Sequence, residues 1–203
     1  PQRPWGLIAL VSALAVFAVG IVGYAVWSGR DNAGGVAAEA ARIPGIQVDE
    51  GQTAVHQSGV LEYPTYPPDG GNHNGYWADC TGTVYSQPIA NENAVHALEH
   101  GAVWITYRSD ITPDALSQLK SLVDGNDRMM LSPYPDQASP ISLQSWGYKL
   151  AVDSPSDSRV GTFINLLRYN PDTTPEYGAT CQQPTFKARP STFGAPLDGP
   201  AGG

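Results

Sequence analysis

Basic residues are scarce in this sequence, and charged residues of either sign make up only 15% of it. The chain has 11 Lys and Arg against 19 Asp and Glu among 203 residues. Two of the basic residues, Arg3 and Arg30, precede residue 31, so residues 31–203 hold 9 basic and 19 acidic residues. Nucleic acids and anionic lipid surfaces bind basic patches. The charge balance therefore argues against nucleic acid as a partner.

Cysteine is scarcer still. The two cysteines, Cys80 and Cys181, lie too far apart for a zinc knuckle. In an exported domain such a pair forms a disulfide, whereas in a cytosolic domain it would remain two buried thiols. We expect the disulfide, which closes a loop of about 100 residues and would stabilise the fold by up to about 4–5 kcal/mol in the chain-entropy model.

One segment, residues 5–27, contains no charged residue: WGLIALVSALAVFAVGIVGYAVW. As a helix rising about 1.5 Å per residue it would be roughly 33 Å long, enough to cross a hydrocarbon core of about 30 Å. Trp5 at one end and Tyr24 with Trp27 at the other suit the two membrane interfaces. A signal peptide has a shorter apolar core, and a buried soluble helix is rarely apolar on every side over this length. The sequence therefore predicts a single membrane span.

Composition divides the rest of the chain into four segments. These are a cytoplasmic remnant (residues 1–4), a small polar tether (28–41), a folded domain (42–186) and an extended or disordered tail (187–203). One basic residue lies on each side of the span, Arg3 before it and Arg30 after it, so the positive-inside rule does not set the orientation. The predicted orientation therefore rests on the disulfide, which needs an oxidising compartment. We expect the domain on the extracytoplasmic side of the cell membrane. The start at Pro1 without methionine leads us to expect a further segment upstream.

Turn residues and hydrophobic periodicity predict alternating helices and strands after a loop-rich stretch that ends near residue 90. Helices are predicted at 92–100, 112–125 and 156–169, and strands at 102–108, 129–131 and 141–152, the last with a bend at Trp146-Gly147. This order predicts an α+β fold, a small sandwich with long loops.

All four histidines lie within 45 residues of one another, at positions 56, 73, 96 and 100. His96 and His100 are four residues apart on a predicted helix and therefore face the same way, and Glu99 is placed to orient one ring from a second shell. His73 lies in the flexible loop GGNHNGYW, and His56 in an earlier polar segment. We expect these four side chains to form either a copper or zinc site or a hydrogen-bonded polar cluster without metal.

Two neighbouring features bear on the metal and its use. A thioether from Met129 or Met130 would favour copper and a carboxylate would favour zinc, although the methionines are more typical of strand packing.

His96-Ala97-Leu98-Glu99-His100 also fits the zinc-hydrolase pattern H-x-x-E-H, which needs a third acidic ligand downstream. The one later glutamate, Glu176, lies in a Pro/Gly-rich stretch, and Gly101 ends the helix at once. We therefore predict no catalytic residues and keep the hydrolase as a minor alternative.

The runs YPPDGGNHNGYWADC, ENAVHALEHGAVWITY and LSPYPDQASPISLQSWGYKL resemble a bacterial family defined only as a domain of unknown function. The family is common in actinobacteria and usually follows one N-terminal membrane helix. The resemblance covers most of residues 50–170, and the matching motif positions are His73, Trp77, His96, Glu99, His100 and Gly101.

One member of that family looks like the accessory subunit of the respiratory supercomplex that joins cytochrome bcc to an aa3-type oxidase. The resemblance thus implies a non-catalytic accessory or assembly subunit whose partners are respiratory-chain membrane proteins, anchored in the bilayer through residues 5–27. The alternative is an extracytoplasmic protein that binds copper or zinc, and the two roles can coexist.

Overall fold

A computed structural model describes residues 5–49 and 51–191, with the side chains of α1 described at 12–27 and from residue 35 onward. The helices are α1 (Trp5–Ala40), α2 (Asn91–Glu99), α3 (Pro113–Val123), α4 (Ser158–Leu167) and α5 (Pro184–Ala188). The strands are β1 (Ile46–Val48), β2 (Thr81–Val84), β3 (Val103–Tyr107), β4 (Met129–Pro133), β5 (Ile141–Ser145) and β6 (Tyr148–Val152). The predicted mixed α/β architecture is confirmed.

The strands form one six-stranded sheet in the order β1-β6-β5-β3-β4-β2. Strand β4 is parallel to both of its neighbours, β3 and β2, and all other pairs are antiparallel. The bend predicted at Trp146-Gly147 is the turn between β5 and β6, where Gly147 has φ +74°. The sheet thus combines one β3–α3–β4 crossover with antiparallel hairpin pairing.

Alternating side chains give the sheet two apolar faces. Val103 and Ile105 of β3 pack on one face with residues of α3, α4 and the end of α1, while Trp104 packs on the other face. That second face is covered by α2, the loop before β2 and α5. The loop-rich half of the domain and α2 therefore share one layer, which is the layer that contains the histidines.

Local signals account for the helix boundaries. The Thr112 hydroxyl accepts a hydrogen bond from the Ala115 N–H (3.3 Å) at the start of α3, and Pro113 occupies its first turn. Asp157 caps α4 in the same way, accepting from the Arg159 N–H (2.9 Å). The three helices predicted for the domain thus form within a few residues of their expected limits.

The predicted tether is wrong as a description of residues 28–40, because α1 continues to Ala40. Val36 and Ala40 are buried in the core that contains α4, and Arg159 of α4 donates to the Pro44 carbonyl (2.8 Å) just beyond. The end of α1 is therefore part of the folded domain. Within the described part of the chain, no helix meets the combined requirement of length and apolar character for crossing a membrane.

The predicted disulfide between Cys80 and Cys181 is confirmed. The Cys80 N–H also donates to the Cys181 carbonyl (3.1 Å). Beyond it, the segment predicted as a tail begins inside α5, where Phe186 is fully buried, and Ser191 accepts from the Ala90 N–H (3.1 Å). The rest of that segment, 192–203, and the predicted remnant at 1–4 lie outside the described residues.

Candidate metal centre

Helix α2 carries two of the histidines and a glutamate, with Glu99 as its last residue and His100 as its C-cap. Gly101 follows in a left-handed conformation, φ +86°, and a Cβ there would lie 2.8 Å from the Thr174 hydroxyl oxygen. Glycine is therefore required where the chain turns from α2 into β3. This sharp end leaves the side chains of His96 and His100 on one face, at a ring-centroid distance of 4.6 Å.

A short backbone pairing brings the two loop histidines together. The His73 N–H donates to the Val55 carbonyl (3.1 Å), and the His73 carbonyl accepts from the Gln57 N–H (2.7 Å), which forms a parallel bridge between His56 and His73. The centroids of these two rings are 5.0 Å apart, and each lies 4.8 Å from the His96 centroid. The chain thus gathers all four imidazoles from three separate segments.

Backbone carbonyls orient three of the rings. The Nδ1 atoms of His73, His96 and His100 lie 2.8, 2.7 and 2.9 Å from the carbonyl oxygens of Gly71, Asn74 and Thr180, respectively. A carbonyl oxygen only accepts, so each Nδ1 carries the proton and donates. In the neutral rings each Nε2 then presents a lone pair, which is the tautomer that binds a metal ion through Nε2.

Four side chains form what we call the inner group: His56, His73, His96 and Glu99. Their ligand atoms all lie within 4.8 Å of one another. Glu99 Oε2 is 2.8 Å from His73 Nε2 and 3.9 Å from His56 Nε2. The side chain of His73 is fully buried, whereas that of His56 is 48% exposed, so the inner group lies beneath His56.

Three side chains form the outer group: His96, His100 and Glu176, whose ligand atoms also lie within 4.8 Å of one another. Glu176 Oε2 is 3.1 Å from His100 Nε2 and 4.0 Å from His96 Nε2. The Glu176 side chain is 43% exposed, so this group opens to solvent. The Glu176 N–H donates to the Glu99 carbonyl (3.1 Å), which fixes the segment carrying Glu176 to the end of α2.

Two atoms of the inner group lack hydrogen bonds. His73 Nε2 and Glu99 Oε2 are both buried and have no hydrogen-bond partner among the described residues, although they lie 2.8 Å apart. With the proton on Nδ1, both atoms are acceptors, and two buried acceptors at this distance repel one another. The arrangement is stable only with a positive charge between them, supplied by a proton or by a metal ion.

Burial keeps the α2 histidines neutral. It lowers the pKa of His96 from 6.5 to about 3, with a further contribution from the neighbouring His100. Burial also lowers the pKa of His100, although Glu176 and the Thr180 carbonyl act in the opposite direction. Both rings are therefore uncharged at pH 7, as metal coordination requires.

The structure brings together the four histidines that the sequence singled out, but it assigns Glu99 differently. Glu99 was predicted to orient a ring from a second shell, and its carboxylate instead lies among the candidate ligand atoms. The orienting contacts come from backbone carbonyls. Met129 and Met130 are fully buried in β4, consistent with the predicted strand packing.

Sequence reasoning did not include Glu176 in the site. The H-x-x-E-H pattern asks for a later acidic ligand, and Glu176 lies beside the two histidines of that pattern. That requirement was the one signal in the sequence that could have identified it. The pattern's own glutamate, Glu99, contacts His73 instead of standing free to act on a water molecule.

Residues 54–183 match the family described as "Protein of unknown function (DUF3105)". The chain belongs to this family. All six candidate ligands and both cysteines lie within the range matched to DUF3105, so the inner and outer groups are part of the family domain. No curated protein and no solved structure gives a significant match to the chain.

Proposed function

We propose that this DUF3105 domain binds a divalent transition-metal ion, Zn²⁺ or Cu²⁺, through its inner group. One observation carries the proposal: His73 Nε2 and Glu99 Oε2 are buried 2.8 Å apart, and neither has a hydrogen-bond partner among the described residues. An ion bound to both atoms would replace their repulsion by attraction. His96 and His56 bring the number of available ligand atoms to four.

The donor atoms restrict the ion. Imidazole nitrogen with one carboxylate oxygen suits Zn²⁺ and Cu²⁺, whereas Cu⁺ prefers thiolate or thioether sulfur. Both cysteines of the chain are joined in the disulfide, and both methionines are buried in β4. Three imidazoles and a carboxylate can give the four-coordinate site that Zn²⁺ favours.

The same geometry favours binding over catalysis. Four protein ligands fill a tetrahedral ion, while a catalytic zinc keeps one position for water or substrate. Glu99, the general base of the H-x-x-E-H alternative, is proposed here as a ligand. We therefore assign the domain to metal holding or delivery.

Metal binding is tested with the full chain, stripped of metal and titrated with Zn²⁺ against a competing chelator. Glu99→Gln and His73→Gln should each weaken binding by at least about tenfold. Glu39→Gln, which alters an exposed carboxylate at the end of α1, is the matched control. X-ray absorption should place nitrogen near 2.0–2.1 Å from the zinc. Equal affinity in all variants would mean that His73 and Glu99 share a proton instead of an ion.

We also propose that residues 5–27 anchor the domain on the extracytoplasmic side and that it serves as an accessory subunit of the bcc–aa3 supercomplex. Supporting this, Leu14, Phe17, Ile21 and Trp27 of α1 are each more than half exposed. Such a concentration of exposed apolar side chains calls for lipid or a partner helix. The supercomplex itself follows from the resemblance given above.

The partner is tested by gentle detergent extraction and mass spectrometry. The full chain should co-purify with the bcc and oxidase subunits, and a chain lacking residues 1–27 should not. The complex should keep its haem and copper centres when this chain is deleted, since the proposed role is non-catalytic. Absence of the chain from a gently isolated supercomplex would reject the partner but leave the metal site untouched.

A further inference from the structure

His96 belongs to both ligand groups but has a single nitrogen to offer. Its Nδ1 donates to the Asn74 carbonyl (2.7 Å), which leaves only Nε2 for an ion. That atom lies 4.0 Å from Glu176 Oε2 of the outer group, and a ring nitrogen of His96 also lies within 4.8 Å of the ligand atoms of the inner group. One imidazole lone pair binds one ion at a time. The two groups therefore cannot both be complete.

The carboxylates of the two groups differ in their exposure, although His56 gives the inner group one side chain that is 48% exposed. In the outer group the Glu176 side chain is 43% exposed, and in the inner group the Glu99 side chain is 6% exposed. An ion arriving from solvent meets the Glu176 carboxylate while it is still hydrated. A buried carboxylate such as Glu99 can be reached only after the ion has lost most of its water.

The two groups also differ in their number of donors. Each contributes one carboxylate, so an ion that moves between them keeps the same formal counter-charge. The inner group adds two further imidazoles to His96, while the outer group adds one, His100. An ion in the outer position would therefore retain water in its coordination shell and bind more weakly.

We propose that the domain holds one ion in two alternative positions and that His96 transfers it from the outer group to the inner group. This inference rests on the proposed metal-binding function. Zn²⁺ or Cu²⁺ is captured by Glu176, His100 and His96. It then exchanges Glu176 and His100 for Glu99, His73 and His56 while remaining bound to His96. Only ligands and water are exchanged, and the oxidation state of the ion does not change.

Two tryptophans report on the two positions. The Trp77 ring centroid lies 5.0 Å from that of His100 and 5.5 Å from that of His96, and the Trp146 centroid lies 5.9 Å from that of His73. Cu²⁺ quenches nearby indole fluorescence. Stopped-flow mixing of the metal-free full chain with Cu²⁺, in Trp77→Phe and Trp146→Phe backgrounds, therefore compares the arrival of the ion beside His96 and His100 with its arrival beside His73.

The transfer predicts an order of events and a stoichiometry. Quenching of Trp77 should precede quenching of Trp146, and saturation should occur at one ion per chain. Glu176→Gln should slow loading about tenfold or more, with a smaller effect on equilibrium affinity. Glu99→Gln should keep the fast phase, lose the slow one and weaken affinity about tenfold or more. Glu39→Gln should behave as the wild type.

Three results would overturn the transfer while leaving metal binding intact. These are two ions bound per chain, quenching of Trp146 first, and unchanged loading in Glu176→Gln. The last two would mean that ions enter past the half-exposed His56. Absence of any Cu²⁺ or Zn²⁺ binding by the wild type would instead reject the proposed function itself.

Discussion

The guanidinium of Arg128 donates one hydrogen bond to the carbonyl of His100 (2.6 Å) and another to the carbonyl of Ala179 (2.7 Å). It therefore joins the end of α2 to the segment that carries Glu176. The Arg128 side chain also lies over the Tyr169 ring, with the guanidinium carbon 4.1 Å from the ring centroid. Together with the hydrogen bond from the Glu176 N–H to the Glu99 carbonyl (3.1 Å), this planar, two-armed side chain sets the relative position of the two halves of the outer group.

Arg128→Lys should loosen the outer group, because an ammonium cannot reproduce the fork of two hydrogen bonds. We expect a loss of about 1–3 kcal/mol in the free energy of unfolding and slower loading of Cu²⁺. Arg108→Lys is the control, since Arg108 pairs with the exposed Asp110. Urea unfolding and stopped-flow quenching measure the two effects. If Arg128→Lys is destabilised but loads Cu²⁺ at the wild-type rate, Arg128 does not position the outer group.

Metal should stabilise the folded domain. An ion that binds only the native state adds about 2.7 kcal/mol to the free energy of unfolding at a free concentration of 100 times its Kd. Thermal melts with Zn²⁺ and with chelator should therefore differ in the wild type and in Glu39→Gln. In His73→Gln, which removes a fully buried inner ligand, the difference should shrink by about 1.4 kcal/mol or more, the equivalent of a tenfold loss of affinity. A zinc-dependent shift in His73→Gln equal to that of the wild type would contradict the inner site.

Acid should destabilise the metal-free domain at a pH where carboxylates are still charged. Burial lowers the pKa of His96 from 6.5 to about 3 in the folded state, with His100 adding to the shift. Between these values the unfolded chain binds more protons than the folded one, so stability falls as pH drops below about 6.5. Chemical denaturation in chelator measures this. His96→Gln should flatten the dependence between pH 6.5 and pH 4, and an unchanged slope would contradict the assignment.

Removing the disulfide should weaken both the fold and the site. The pair Cys80→Ala and Cys181→Ala frees a loop of 101 residues and should cost up to about 4–5 kcal/mol in the chain-entropy model. Cys181 adjoins Thr180, whose carbonyl orients His100, so Cu²⁺ loading should slow as well. Loading is measured under conditions where the variant remains folded by circular dichroism. If the variant loads Cu²⁺ at the wild-type rate under these conditions, Thr180 keeps its position without the disulfide.

Much of the fold could be predicted because its signals are local. Thr112-Pro113 marks the start of α3, and Gly101 marks the end of α2, each for a reason confined to a few residues. Strands β1 and β2 were missed because they have three and four residues. Their pairing with β6 and β4 depends on partners far away in the chain.

The remaining errors also arise from tertiary contacts. The run around Val36 and Ala40 resembles a tether in its small residues, but alanine is the strongest helix former and this end packs beside α4. Glu176 lies in a Pro/Gly-rich stretch with no periodicity, and its N–H bond to the Glu99 carbonyl brings it to the site. The helical spacing of His96 and His100 was visible locally, whereas the carboxylate that faces them was not.

The disulfide and the outer group tie the same last segment of the chain to two neighbouring parts of one layer, the loop before β2 and α2. Cys80 and Cys181 join the loop before β2 to the last segment, and the outer group joins α2 to that same segment through Glu176. The covalent link persists once oxidation has formed it, whereas the coordinate link exists only while an ion is present. An ion that moves to the inner group would release Glu176 and leave the segment held by its disulfide and backbone contacts. The local rigidity of this part of the surface would then depend on which position the ion occupies. A neighbouring protein that contacts this surface would meet a more rigid segment when the ion is in the outer group.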